Sequence, residues 1–264
     1  MFDKRPCVTS EARGRGVRFV AILVVAALYL ILGAGVLLAG PPFATDDPET
    51  PEYHHGEFYI ASQYAKDDEG KSATAPHFEF NYAVLPDVML HTIVPLAWNK
   101  PNDESSKYGL GDVELGVKYR FIHESDTIPQ VGAFPILTLP TGDEDRGLGD
   151  GRAKLFLPLW FQKSWGKWTS YAGGGYQINP GDNRKNYWFA GWQVQREFSE
   201  LLAVGAEIFY VTADTEDGGG SSGFNVGVII NLTEKHHLLF SIGEDIHGPN
   251  DLAMYVGYQL TFGP

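Results

Sequence analysis

The first candidates for chemistry in this sequence are charged side chains at alternate positions. After Gly111, four of them share one parity: Asp112, Glu114, Lys118 and Arg120. Successive side chains of a β-strand point to opposite faces, so these four lie on one face of a strand. Charges of both signs that are kept from bulk water must pair, because an unpaired buried charge is very costly. The pattern therefore predicts an internal, ion-paired surface that selects or blocks solutes.

The other face of the same stretch is continuously apolar. It carries Val113, Leu115, Val117, Tyr119 and Phe121. Such a strand needs an apolar medium on one side and a polar network on the other, and a membrane-spanning β-barrel supplies both. A strand of a soluble sandwich also alternates, so the rest of the chain has to decide between the two.

Similar alternation recurs along the chain in segments of roughly ten residues, the length with which a tilted strand crosses a membrane. The predicted strands are residues 57–66, 76–84, 87–98, 112–123, 129–139, 152–162, 167–178, 186–198, 200–212, 222–232, 235–243 and 251–262. Short turns alternate with longer polar loops, as in up-and-down barrels. We predict an all-β fold, an antiparallel transmembrane barrel of about twelve strands whose two ends lie on the short-turn, periplasmic side.

The inward parity of these strands defines a candidate lumen. The predicted lumen-lining and selectivity residues are Glu57, Glu79, Asp112, Glu114, Lys118, Arg120, Arg152, Lys154, Glu197 and Glu207. About twelve strands is intermediate between filled eight-stranded barrels and open sixteen-stranded ones. We therefore expect a narrow or gated path, partly plugged by internal ion pairs.

The start of the chain predicts export. Residues 1–18 are basic and polar, residues 19–38 are almost wholly apolar, and Ala39 follows. This order predicts a signal peptide over residues 1–39, cleaved after Ala39 or, as a weaker choice, after Ala44. Since roughly 20 apolar residues also span a bilayer, an uncleaved anchor is the alternative. Residues 40–56 are rich in proline and acid and predict an extended periplasmic lead-in, which leaves residues 57–262 for the barrel.

Composition excludes several functions. The 264 residues carry a formal net charge of -13, which is unlike a nucleic-acid binder. The single cysteine, Cys7, lies before the apolar run, so the body of the chain has no disulfide, thiolate metal site or cysteine nucleophile.

The motif Gly-Leu-Gly-Asp occurs twice, each time where a long loop re-enters a strand. Neither copy has the Lys-Ser/Thr pair of a phosphate-binding loop or opens a helix. We interpret the copies as rim turns, in which glycine adopts special backbone angles and aspartate caps the turn. Their residues are Gly109, Gly111, Gly147, Gly149 and Asp150. In a functional alternative, Asp112 and Asp150 are inward carboxylates at a channel mouth.

The sequence gives only weak signals for a metal site. Acidic loops at 143–145 and 214–217 could bind divalent ions, but they lack the spacing of a calcium loop and are interpreted as solvated charge. The histidine pairs at 54–55 and 236–237 are adjacent residues, which point to opposite faces of a strand. We expect no metal site and no cofactor.

An enzyme acting on lipids is the least favoured function. The sequence has neither a Gly-x-Ser-x-Gly elbow nor a zinc-peptidase helix. Ser170, His91 and Glu79 could form a triad only if the fold brought them together. We expect no enzymatic activity.

The positions of the tryptophans along the chain agree with a membrane protein. The six tryptophans fall mostly near predicted strand ends, where Trp and Tyr favour the headgroup level. They are Trp98, Trp160, Trp165, Trp168, Trp188 and Trp192. The alternative is that they belong to a soluble core.

Three stretches resemble a known family. They are Pro41-Pro42-Phe43 with Thr45-Asp46-Asp47, the stretch from Tyr108 to Phe121, and Leu139-Pro140-Thr141-Gly142 followed by the second Gly-Leu-Gly-Asp. In order and spacing the body, residues 41–262, resembles the outer-membrane transporter family linked to the meta-pathway of phenol degradation. The resemblance implies an outer-membrane barrel that helps small, often aromatic or hydrophobic, compounds across. It implies no catalytic residues.

The function we expect is passive diffusion of small solutes across the outer membrane of a Gram-negative bacterium. A structural or adhesive barrel with a plugged lumen is the alternative. Expected partners are outer-membrane lipids and lipopolysaccharide, the barrel-assembly machinery and a small-molecule solute, but no nucleic acid. The chain departs from the usual aromatic end of such barrels, because Gly263 and Pro264 follow Phe262.

Overall fold

The computed structural model describes residues 41–67, 69–248 and 252–264. The predicted signal peptide, residues 1–39, lies outside this part of the chain. Within it, no helix is long and apolar enough to cross a membrane.

Nearly all regular structure is β. One short 3-10 helix, Glu144–Arg146, lies in a loop. The strands are β1 (Gly56–Lys66), β2 (Gly70–Leu85), β3 (Val88–Pro101), β4 (Lys107–Leu110), β5 (Val113–Ile122), β6 (Gln130–Ala133), β7 (Ile136–Leu139), β8 (Lys154–Trp165), β9 (Trp168–Ile178), β10 (Tyr187–Glu197), β11 (Leu202–Val211), β12 (Ser221–Asn231), β13 (His236–His247) and β14 (Leu252–Phe262).

These strands close into one antiparallel barrel. β4 and β5 both pair with β3, β6 and β7 both pair with β5 and β8, and every other strand pairs with its neighbours in the chain. β1 pairs with β14 along its whole length, from Gly56 opposite Phe262 to Lys66 opposite Leu252. β4 and β5 follow each other in one wall position, as do β6 and β7, so the barrel has twelve wall positions. The predicted twelve-stranded, all-β, up-and-down barrel is confirmed.

Two wall positions are interrupted. Gly111 and Asp112 separate β4 from β5, while Phe134 and Pro135 separate β6 from β7. Proline has no N–H to donate to a strand ladder, so the regular pairing with both β5 and β8 is interrupted at Pro135. Two backbone hydrogen bonds bridge the interruption, from Val117 to the carbonyl of Pro135 at 3.1 Å and from Phe134 to the carbonyl of Pro158 at 3.4 Å. β2 instead begins at Gly70, well before the predicted residue 76, because pairing with β3 continues past Pro76 through a register shift.

The outer face of the wall is apolar and the inner face carries polar side chains, as the alternation predicts. On β5, Leu115, Val117 and Tyr119 are exposed on the outer face, whereas Glu114 and Lys118 are buried on the inner one. An outer face of exposed apolar side chains matches a lipid-facing band.

Residues 41–52, here called the lumen segment, run inside the barrel. Phe43, Thr45, Asp46 and Pro48 are all buried there. The wall makes room for them with glycine: a Cβ on Gly205 would lie 2.7 Å from the ring of Phe43. The sequence did not decide whether these residues enter the barrel, and the structure places them inside it.

Trp160 was expected near the headgroups, and the structure places it elsewhere. It is only 1% exposed and belongs to the interior apolar cluster with Phe156 and Phe189. Its neighbours Leu159 and Phe161 face outward, so strand parity puts Trp160 inside. Among the other tryptophans, Trp165, Trp168, Trp188 and Trp192 are exposed and Trp98 is half-buried.

Candidate functional site

Lys118 holds the acidic part of the lumen segment. β5 projects this side chain inward, where its Nζ lies 3.0 Å from Asp46 Oδ1 and 3.6 Å from Asp47 Oδ1. The ammonium also sits 4.8 Å from the centre of the Phe134 ring, a cation–π contact. Lys118 and Asp46 are both almost completely buried, so each needs the other to remain charged.

Glu207 holds the same segment from across the barrel. Its two carboxylate oxygens accept hydrogen bonds from the backbone N–H groups of Ala44 and Thr45, both at 2.7 Å. Asn225 donates a further bond of 2.5 Å to the same carboxylate. The lumen segment is therefore bound on two opposite sides of the barrel. Its carboxylates Asp46 and Asp47 contact Lys118 of β5, and its main chain donates hydrogen bonds to Glu207 of β11.

Asp46 titrates unusually for an aspartate. Burial raises the pKa of its carboxyl from 3.8 to about 6, although the ammonium of Lys118 opposes the rise. Its Oδ1 accepts from Lys118 and from the backbone of Asp47, while Oδ2 has no hydrogen-bond partner among the described residues. Near pH 6, docking of the lumen segment is thus sensitive to the proton on this carboxyl.

A second polar network links β2 and β3. His91 Nδ1 lies 2.7 Å from Asn81 Oδ1, and because an amide oxygen only accepts, this nitrogen carries the proton and donates. Asn81 in turn donates to Glu79 at 2.9 Å. Glu57 accepts from Asn81 at 3.3 Å and from the hydroxyl of Tyr59 at 3.0 Å. The inward carboxylates of β1 and β2 therefore sit in a connected set of hydrogen bonds.

A cavity of about 420 Å³ lies between the lumen segment and this wall. Among the predicted lumen residues, four line it: Glu57, Glu79, Glu114 and Lys118. Glu207 is buried on the inner face of β11 but contacts the lumen segment instead of this cavity.

The other predicted lumen residues lie towards the two ends. Arg120 donates to Asp87 in the turn between β2 and β3, at 2.8 and 2.6 Å. Burial raises the pKa of Asp87, but the bonds from Arg120 and His123 outweigh it and leave that pKa below its usual value. Arg152 is exposed in the loop before β8, and Glu197 is exposed at the end of β10.

The rim motifs form a compact turn network at the long-loop end. Asp112 accepts hydrogen bonds from the backbone N–H of Gly142 at 2.8 Å and of Asp150 at 2.7 Å. Gly147 closes the short helix with a left-handed φ of 64°, which favours glycine. Asp112 therefore holds one end of the 140–153 loop on the end of β5.

The remaining rim residues support this network. Asp150 pairs with Lys154 and, at 2.9 Å, with Arg184; these cations outweigh burial and lower the pKa of its carboxyl. Gly111 donates to the carbonyl of Pro95 at 2.9 Å. Gly109 lies in β4. A Cβ on Gly149 would come within 3 Å of Asp112 Oδ1 and of the Cα of Gly142, so a side chain would not fit there.

An apolar groove of about 590 Å³ lies on the outer face beside the interruption at Pro135, and we call it the lateral groove. Its lining residues come from β2, β3, β5, β7, β8 and the interruption: Phe80, Tyr82, Val84, Leu90, His91, Thr92, Leu115, Gly116, Val117, Pro135, Leu137 and Leu155. Gly116 of this lining has no side chain, and the groove and the internal cavity both border His91.

The structure does not assemble the triad considered from the sequence. Ser170 accepts from the indole of Trp192 at 2.9 Å on the outer face, while His91 and Glu79 lie inside. In the part of the chain that is described, no group of three or more His, Cys, Asp or Glu side chains could hold a metal ion.

Sequence reasoning missed the partners of Lys118. The acidic pair at 46–47 lies in a proline-rich stretch with no strand period, so nothing local places it inside a barrel. A signal was nevertheless present, because Lys118 is a cation on a predicted lumen wall with many acids, and the lead-in that contains Asp46 directly precedes the first strand of that wall.

Several solved structures share this architecture. An outer membrane channel from Pseudomonas putida F1 is 18% identical with a TM-score of 0.66, covering 82% of this chain and 98% of that one. The KdgM porin is 10% identical with a TM-score of 0.55, covering 78% and 99%. The translocator domain of the autotransporter NalP from Neisseria meningitidis is 8% identical with a TM-score of 0.54, covering 95% and 96%. At these identities the likeness establishes the fold.

No curated protein matches the sequence. Residues 68–262, which hold β2 to β14, match the sequence model of a family described as "Putative MetA-pathway of phenol degradation". The match spans well over half of the chain and confirms the family suggested by the motifs around residues 108–121 and 139–151. The chain belongs to this family.

Proposed function

We propose that the protein is a passive outer-membrane channel for small apolar solutes, aromatic ones among them, with a path that leaves the barrel through its side. The observation that carries this proposal is the lateral groove. It is apolar, it lies where Pro135 interrupts the wall, and it reaches His91, which also faces the internal cavity. An apolar solute in such a groove avoids the cost of crossing the charged layer outside the membrane.

The filled lumen supports a sideways path. Residues 41–52 occupy the centre of the barrel and are bound to β5 and β11. An axial, water-filled route like that of a general pore would require these contacts to break.

An uptake assay tests the proposal. Cells of a Gram-negative host that express the protein should take up the apolar dye N-phenylnaphthylamine faster than cells with an empty vector. Leu90→Trp fills the lateral groove with a larger ring and should cut the added uptake about tenfold, as roughly 1.4 kcal/mol of extra barrier does. Leu157→Trp is the matched control, because Leu157 is as exposed as Leu90 on the same outer face but lies outside the groove.

Both variants must show the heat-dependent gel mobility of a folded barrel for the comparison to hold. Equal uptake by the Leu90→Trp and Leu157→Trp proteins would contradict a path through the groove.

A structural or adhesive barrel is the second candidate, and the bound lumen segment favours it. Normal assembly combined with the absence of both dye uptake and conductance would select this function over transport.

Location and partners complete the proposal. The chain would reach the outer membrane after removal of residues 1–39 and would contact lipids and lipopolysaccharide there. The barrel-assembly machinery would insert it, reading the alternation that ends at Phe262. No catalytic step belongs to this function.

A further inference from the structure

The internal cavity has an unusual charge balance. Among the described residues, one ammonium, that of Lys118, faces seven carboxylates that line it, of which Asp46, Glu79 and Glu114 are buried, Asp47 and Glu57 half-buried, and Glu49 and Glu52 exposed. The excess of buried carboxylates is costly unless a counter-charge or protons neutralise it. The cavity is therefore better matched to a cation than to an anion or a neutral polar molecule.

The carboxylates of the cavity differ in how many hydrogen-bond and ion-pair partners they have. Asp46 and Asp47 share Lys118, and Glu57 accepts from side chains of β1, β2 and β14. The carboxylate of Glu79 accepts a hydrogen bond from the amide of Asn81, and the protonated Nδ1 of His91 lies near it. Glu114 is only 9% exposed, faces the cavity, and its carboxylate has no hydrogen-bond or ion-pair contact among the described residues, although the ammonium of Lys154 attracts it from beyond ion-pair distance.

The rest of the lining is mixed, with polar side chains from Thr50, Gln63, Asn81, His91 and Gln259 beside an apolar part. The apolar part includes Met89, Ile93, Phe134, Ile136 and Leu239. A volume of about 420 Å³ lies within the range of roughly 300–1,000 Å³ that small-molecule sites occupy. A ligand that satisfies both surfaces has one cationic end and a small apolar body.

A metal ion fits this site less well than an ammonium group. In the described residues no three carboxylate or imidazole groups converge as metal ligands, whereas hard metal ions take six or more oxygen ligands. An ammonium needs only a few acceptors and can donate one hydrogen bond to Glu114.

We propose that the internal cavity binds small primary amines with an apolar body, with the carboxylate of Glu114 receiving the ammonium. This binding goes beyond the proposed passage of uncharged apolar solutes and rests on a different surface of the protein.

Calorimetry on the folded, detergent-solubilised protein tests the proposal with benzylamine and its uncharged analogue of similar size, benzyl alcohol. At low ionic strength benzylamine should bind at least about tenfold more tightly, the contribution of a charge-assisted contact. Glu114→Gln should remove this preference and leave the affinity for benzyl alcohol unchanged. Equal binding of the two compounds by the wild type would overturn the proposal.

Glu200→Gln is the matched control, because Glu200 is an exposed carboxylate in the turn between β10 and β11 and should leave the preference intact. A preference for benzylamine that survives Glu114→Gln would also overturn the proposal. If Glu114→Gln does not assemble, Glu79→Gln removes a neighbouring cavity carboxylate and should weaken benzylamine alone. Dye uptake through the lateral groove is measured separately, so failure of either proposal leaves the other standing.

Discussion

At the scale of single residues, Lys118 decides how the lumen is filled. Its ammonium is the only one that lines the cavity within the described part of the chain, and it pairs with Asp46 and Asp47. A buried ion pair of this kind adds little net stability over an apolar pair of the same shape, but removing one partner is strongly destabilising. Lys118 therefore fixes the position of the lumen segment more than it stabilises the barrel.

Charge reversal at Lys118 should release the lumen segment. In Lys118→Glu, repulsion replaces the contacts with Asp46 and Asp47, so we expect higher conductance in planar bilayers and a shift of permeability towards cations. Loss of a buried pair costs roughly 3–5 kcal/mol, enough to favour the released state. Arg152→Glu makes the same charge change in an exposed loop and should behave as the wild type. Identical permeability ratios in wild type and Lys118→Glu would exclude a lumenal role.

Asp46 should make the docking of the lumen segment depend on pH. Its pKa is about 6 when docked and near 3.8 when released into water, so the docked form binds the proton more tightly. This stabilisation is fully present below pH 3.8 and is lost as the pH rises through 6, with a total on the order of 3 kcal/mol.

The fraction of time that single channels stay open should accordingly rise between pH 4 and pH 7. Asp46→Asn keeps a neutral side chain at every pH and should flatten the change in this window. A wild-type open fraction that falls over the same range would contradict the assignment to Asp46.

At the scale of elements, the interruptions of the wall matter most. The position of Pro135 is visible in the sequence, but its effect on the two neighbouring strands is not. Predicting a strand over residues 129–139 does not say which residues of those strands it pairs with. The regular ladder is interrupted at Phe134 and Pro135, where a backbone hydrogen bond from Phe134 to Pro158 of β8 and another from Val117 of β5 to Pro135 remain. The lateral groove thus depends on pairing, which acts over distances that local patterns do not encode.

The rim loop offers a test at this scale. Asp112→Ala removes the acceptor for the N–H groups of Gly142 and Asp150, and hydrogen bonds to a charged acceptor are worth about 1.5–3 kcal/mol each. We expect trypsin to cut the folded barrel after Arg146 about tenfold faster or more in this variant. Asp126→Ala, in an exposed turn at the other end, is the control. Unchanged cleavage would show that the loop is held by its other contacts.

At the scale of the whole molecule, much of the fold was predictable. Strand alternation of apolar and polar residues identified all twelve wall positions and the inner placement of Glu79, Glu114, Lys118 and Glu207. The pattern works because a barrel in lipid enforces one period on every strand. Residues 41–52 obey no period, and their partners lie up to 199 positions away, as in the bond from Ser241 to the carbonyl of Pro42. Their position inside the barrel could therefore not be predicted from local sequence patterns.

A detergent gel tests the whole architecture. The unheated protein should migrate differently from the boiled protein, because a closed barrel with β1 fully paired to β14 resists detergent until heat unfolds it. Mass spectrometry of the same band should give a chain that lacks residues 1–39. Full-length protein in the inner membrane, without a heat-dependent shift, would exclude both the outer-membrane barrel and cleavage.

The short connection between the lumen segment and β1 makes the segment a tethered ligand of its own barrel. Residues 53–55 alone separate it from Gly56. A short tether gives a high effective local concentration, roughly in the millimolar range or above, so the contacts with Lys118 and Glu207 need only modest intrinsic affinity to keep the site occupied. A free peptide of the same sequence would have to exceed that concentration to compete, and rebinding after each release would be intramolecular and fast.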